Sequence, residues 1–293
     1  MPALIVFIVF IALALLAGAA LAYPMHILLT NWFELDFERV ASRGVLIVAI
    51  ILFLAFFKII GFRNWREIGY SSNQKDFWND LIKGFGVGLL ILSPIVAVLL
   101  VTKTRVLDLN WDASLNNISS LLIAALAAGL IIALLEETLF RGAMLTAIQR
   151  QSSKWFAIIA SSLVYALMHF LQPATHLDAS TLNWSSGFIV LKSAFLPIFQ
   201  PMQIIDSCLA LFLAGMLLAL IKIRTNKLAI CIGIHMGWVF TIKVFKRVTN
   251  SNIYSEYSFL VGSYDKVIGY LAAICIAVAI IVYLKLQDRP EIN

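Results

Sequence analysis

Long apolar runs, interrupted at wide intervals by short polar segments, are the dominant pattern along this chain. Stretches long enough to cross about 30 Å of hydrocarbon lie at roughly 3 to 23, 44 to 60, 84 to 101, 121 to 148, 155 to 171, 203 to 221, 228 to 245 and 267 to 284. A backbone in lipid must satisfy its own hydrogen bonds, so each run predicts a helix, about eight in all. The expected fold is all-α, a polytopic membrane protein built as a bundle of these helices. The connecting segments are too short to bury a soluble core, which predicts a single membrane domain over residues 1–293. Between Trp65 and Phe85, Trp78 and Leu81 oppose Asp76, Asp80 and Lys83, a pattern that predicts an interfacial amphipathic helix leading into the third span.

Composition agrees with the pattern. Hydrophobic residues make up 61% and charged residues 13%, about half the charge of an ordinary soluble domain. Ala20-Leu21-Ala22 before Tyr23 looks like a signal-peptidase site, but no basic residue precedes Arg39 and the apolar run is too long for a signal peptide. The run reads as the first span. With the N-terminus inside, the larger share of the 22 Lys and Arg falls on that side, which favours both termini in the cytoplasm and an integral protein of the cell's inner membrane. The net charge of +6 then serves topology and lipid headgroups, and no basic-aromatic groove suggests nucleic acid. Cys208, Cys231 and Cys275 stand singly in apolar stretches and read as small buried hydrophobes. There is no internal repeat and no low-complexity tract.

Against this background the ionisable residues inside the spans stand out, because each costs several kcal/mol in hydrocarbon, roughly 3 on insertion scales. Glu136 and Glu137 are adjacent in the fourth span, with Arg141 one turn further on. Glu137 and Arg141 share a helical face in the acid-first order that suits an ion pair. Glu136 lies about 100° round the helix, with no basic residue within one turn of its face, and is expected to take up a proton. His169 in the fifth span and His235 in the seventh are the other candidates. Tyr165 precedes His169 by one turn, so an aromatic wall and an imidazole can border one cavity. His26 and His176 fall in loops and are expected to be solvated.

These residues carry a resemblance. Glu136-Glu137-Thr138-Leu139-Phe140-Arg141 resembles the E-E-x-x-x-R signature of the CAAX protease and bacteriocin-processing family of intramembrane endopeptidases. Tyr165 to His169 looks like its Phe-x-x-x-His motif, with a conservative aromatic exchange. His235 resembles the histidine of its third motif, and follows the family-like stretch from Ala214-Gly215 to Arg224-Thr225-Asn226. The resemblance covers about residues 119 to 245, the expected catalytic core. Val239 departs from it, standing where the family has Asn or Asp and offering no donor to an oxyanion.

The resemblance implies an endopeptidase that hydrolyses a peptide bond of a membrane-associated peptide or protein with glutamate-activated water. Glu136 would be the base, His169 would orient the water, His235 would face the oxyanion, and Glu137 with Arg141 would brace the helix. No cofactor is implied. Two histidines and a glutamate are also a known catalytic zinc set, so zinc stays open as an alternative. There is no H-E-x-x-H, Trp184-Ser185-Ser186-Gly187 lacks the leading glycine of a rhomboid motif, and Tyr264-Asp265 has no Gly-x-Gly-Asp partner. A catalytically impaired scaffold or bacteriocin-immunity factor, and a proton-coupled transporter, are the rival classes. The transporter lacks the repeats and broken helices usual in that class. Membrane lipid is the remaining expected partner.

Overall fold

The apolar runs become helices. In a computed structural model describing residues 2–30, 32–262 and 264–287, ten helical segments follow one another: α1 (Ala3–Thr30), α2 (Phe37–Ile59), α3 (Gln74–Val101), α4 (Leu115–Glu137), α5 (Leu145–Gln149), α6 (Lys154–Met168), α7 (Ser186–Ala194), α8 (Pro201–Thr225), α9 (Leu228–Val248) and α10 (Tyr270–Gln287). Residues Thr138–Met144 form a π-helical turn that joins α4 to α5 in one continuous rod. Six of these helices, that rod included, are long and apolar enough to cross a membrane, and the shorter α6 and α10 coincide with two further expected spans. This is a polytopic, all-α integral membrane protein. The end of the chain at 288–293, to which the sequence assigns a cytoplasmic position, lies outside the described residues.

Three local expectations are corrected. The first helix does not stop near Tyr23 but continues through Pro24 to Thr30, so His26 is helical, with its ring edge-on to Phe37. His176 is exposed in a loop as expected, with Nδ1 3.3 Å from Glu38. The Trp65–Phe85 segment is not one amphipathic helix. Trp65–Ile68 is a short 3-10 turn closed by a reciprocal capping box between Asn64 and Glu67, and Gly69 then turns the chain at a φ of 102°, a conformation that favours glycine. Asn73 accepts from the Lys75 amide and starts α3 afresh.

Two compact units are formed, residues 1–63, 147–152 and 167–204 in the first, and 64–146, 153–166 and 205–293 in the second. In the first unit α1 packs on α2 and α7. Gly18 lies against the Val45 backbone and Gly187 against the Ala19 carbonyl. Phe7 and Phe10 pack on Phe56 with both ring centroids 4.5 Å away.

The second unit is organised round α9. Gly84 and Gly88 of α3 face Gly233 and Gly237 of α9, and a Cβ at any of the four would collide with backbone of the opposite helix. Small residues four apart on both helices are what lets two membrane helices meet backbone to backbone. The two helices run parallel. The start of α9 is tied to the bend before α3 by the Leu228 amide donating to the Gly69 carbonyl at 2.9 Å, and the far ends of the two helices are tied by an antiparallel ladder in which β1 (Arg105–Leu107) pairs with β2 (Thr249–Ser251). Gly129 of α4 meets the Met236 backbone on another face of α9. The carboxylate-bearing and imidazole-bearing helices are thereby held in close register.

Candidate active site

Glu137 is the last residue of α4 before the π turn, and Arg141 lies inside that turn. Short π insertions occur mostly at functional positions, where the wider turn changes the direction of successive side chains. The expected pair forms, with Arg141 Nη1 3.0 Å from Glu137 Oε1 and side chains 2% and 0% exposed. The guanidinium also lies 4.0 Å above the Tyr165 ring, and Tyr165 meets Phe140 edge-on at 5.3 Å. A charge desolvated this far gains from the ring face, on the order of 2 kcal/mol. Tyr165 therefore borders both Arg141 and His235, whose ring centre is 6.3 Å away.

Glu137 does more than bind Arg141. Its Oε1 also lies 2.8 Å from His235 Nδ1. A carboxylate on one ring nitrogen fixes the orientation and tautomer of an imidazole. The opposite nitrogen, Nε2, lies 3.9 Å from Glu136 Oε2, and the Glu136 side chain is 30% exposed while that of His235 is 6% exposed. The sequence found no partner for Glu136 on its own helix, and the structure supplies one from α9. Arg141, Glu137, His235 and Glu136 thus follow one another as a polar chain inside the second unit, hydrogen-bonded as far as His235. The gap of 3.9 Å is too long for a hydrogen bond, yet one water with contacts of about 2.8 Å to each side would span it.

The start of the π turn is tied down from outside the membrane-spanning rods. Tyr70 hydroxyl and Thr138 Oγ1 are 2.6 Å apart, and Thr138 Oγ1 donates to the Leu134 carbonyl. With that proton committed, the Tyr70 hydroxyl donates to Thr138. Tyr70 itself is stacked on Phe77 at 5.9 Å. Its burial pushes the phenol above the usual tyrosine range, with the Thr138 bond pulling the other way.

His169 lies one residue past the end of α6, half-buried, in the first unit. Its sequence neighbours Met168 and Leu171 line an apolar pocket of about 150 Å³ in that unit, together with Ala19, Ala41, Val45 and Val190. Val239 is half-buried. Among the described residues no group of three or more His, Cys, Asp and Glu side chains is arranged to hold a metal ion. Glu137 Oε1 is engaged by both Arg141 and His235.

Residues 118–241 match the family of Type II CAAX prenyl endopeptidases, Rce1-like. The match contains the whole polar chain and both histidines, and agrees with the family resemblance of the three sequence motifs. The match supports a CAAX-type intramembrane endopeptidase at family level. Neither the curated proteins nor the solved structures gave a match.

Several participants escaped the sequence reading. The Glu137 to His235 contact joins residues 98 apart in the chain, and no local signal announces it. Tyr70 falls outside the matched residues. The paired glycines did carry a signal, Gly-x-x-x-Gly in two spans, and were legible in principle.

Proposed function

We propose that this protein is an intramembrane endopeptidase that cleaves a membrane-associated peptide or protein with water activated by Glu136. The observation that carries the reading is the polar chain Arg141, Glu137, His235, Glu136 in an apolar unit, its first three members buried and Glu136 partly exposed, where each would otherwise be costly. Water lodged between Glu136 Oε2 and His235 Nε2 gives up one proton to Glu136 as its oxygen attacks the scissile carbonyl. Glu136 returns that proton to the leaving amine when the carbon–nitrogen bond breaks. Glu137 accepts from the Nδ1 proton of His235, so the neutral imidazole presents a lone pair at Nε2 and orients the same water. Arg141 holds Glu137, and the Tyr165 ring backs Arg141. His169 enters the proposal on its motif alone, as a second group on the water.

The whole chain is proposed to act as one membrane domain, with its catalytic core at about 119–245 and both termini on the cytoplasmic side of the inner membrane. The second reading, a scaffold or immunity factor without turnover, is favoured by one observation, Val239 in place of the amide. Cleavage of membrane peptides by the reconstituted protein decides between them. Turnover by the wild type that is lost in Glu136→Gln supports the peptidase, and an inert wild type overturns it.

A further inference from the structure

Val239 leaves the site short of a donor, and so does the geometry of His235. With Nδ1 directed at Glu137, the neutral ring has an acceptor at Nε2 and nothing to offer a developing negative oxygen. Peptide hydrolysis in a low-dielectric site needs such a donor, because the charge on the tetrahedral intermediate has no bulk water to face.

One residue along from Val239 stands a donor with nothing to donate to. Trp238 is 6% exposed, its ring centre lies 6.3 Å from that of His235, and its indole Nε1 is buried with no hydrogen-bond partner among the described residues. A buried N–H left unsatisfied costs about 1 to 3 kcal/mol, and native proteins seldom retain one without use. An indole nitrogen can only donate, at any working pH. It sits three residues after His235, next round the same helix, where the amide of the resembled family sits four residues after it.

We propose that the Trp238 N–H is the oxyanion donor of this protein, taking the part that the missing amide at 239 would play. The inference rests on the peptidase reading of the site. As water attacks, the carbonyl π electrons move onto oxygen, and the indole N–H hydrogen-bonds to that oxygen without giving up its proton. When the carbonyl re-forms and the amine leaves, the bond weakens again. A donor that strengthens only in the transition state raises kcat and leaves substrate affinity nearly unchanged.

The test uses the full chain in liposomes with a cleaved membrane peptide. Trp238→Phe keeps a ring in place and removes the N–H. Benzothienylalanine at 238, with sulfur for the N–H, removes it at nearly unchanged shape. Both should lower kcat about 100- to 1000-fold, with KM within about twofold; the benzothienylalanine protein should be at least as stable as wild type, since it loses an unsatisfied N–H and no folded-state partner. Adding Val239→Asn to Trp238→Phe should recover at least about tenfold of the loss, because the amide then sits where the resembled motif has it. Unaltered kcat in the benzothienylalanine protein overturns the proposal, whatever Trp238→Phe does, and so does failure of Val239→Asn to rescue. Wild-type protein inert towards every peptide tried overturns the peptidase reading itself.

Discussion

Removing the charge of Glu137 should destabilise the fold, and removing Arg141 as well should restore most of what was lost. The two groups are 3.0 Å apart with side chains 2% and 0% exposed. At an effective dielectric constant of about 20 their attraction is about 5 kcal/mol. In Glu137→Gln the guanidinium loses its carboxylate, with the Tyr165 ring still 4.0 Å below it, and stranding one buried partner costs about 3 to 5 kcal/mol. Arg141→Met strands the carboxylate instead, which retains His235 Nδ1, so the loss should lie at the lower end of that range. In the double variant neither charge remains, the side-chain amide introduced at position 137 can still accept from His235, and the methionine can lie on the Tyr165 ring. Its stability should fall within about 1 to 2 kcal/mol of wild type, since replacing a buried pair by uncharged groups is often close to neutral. The coupling energy from unfolding in mixed micelles, followed by tryptophan fluorescence, should therefore exceed about 2 kcal/mol, well above the roughly 0.5 kcal/mol scatter of additive pairs. Additive losses, with the double variant the least stable of the three, would refute the buried pair as a unit.

Glu136→Gln should abolish cleavage, by a factor of at least about 100 to 10,000 for loss of the base, with an unfolding midpoint equal to or slightly above wild type. A comparable drop in stability to that of Glu137→Gln would show that base and brace are misassigned. Tyr70→Phe should cost about 1 kcal/mol. Because burial raises the Tyr70 pKa above the ordinary 10.0, the unfolded chain loses that proton first, so stability falls as pH rises through about 10. The variant should lose that part of the alkaline slope in unfolding measured between about pH 9 and 11. Gly233→Leu should separate α3 from α9 and remove fold and activity together, whereas Gly86→Ala, whose added Cβ meets nothing within 4 Å, should be silent or stabilising by up to about 1 kcal/mol in the same assays.

The parts of this molecule written in local sequence were the legible ones. A span is declared by its own length and apolarity, so the long helices and the fourth-span position of Glu136, Glu137 and Arg141 could be read directly. The Glu137–Arg141 pair is likewise local, one turn apart on one rod. What crosses between helices was not legible. The amphipathic reading of Trp65–Phe85 failed because alternation says nothing about the Gly69 bend that splits it. The π turn at Thr138–Met144 has no compositional mark. The family resemblance implies a bracing part for Glu137 and an oxyanion part for His235, as separate duties, and no local pattern announces that the two lie 2.8 Å apart.

That contact gives a physical reason for two consecutive glutamates. Neighbouring residues of a helix point about 100° apart, so they cannot serve one atom, but they can bracket a flat group laid across the rod. An imidazole is such a group, with its two nitrogens on different edges of the ring. Here Glu137 meets Nδ1 at 2.8 Å and Glu136 faces Nε2 at 3.9 Å. One side is closed by contact and buried with Arg141. The other is held open by about the width that one water can bridge, and its carboxylate is the more exposed of the two. A single residue inserted between the glutamates would rotate one of them by a further 100° or so and break the bracket. Under the proposed mechanism the same geometry would separate a structural from a reactive carboxylate without any difference in residue type, because the ring between them is shared while the gap, the exposure and the Arg141 contact differ.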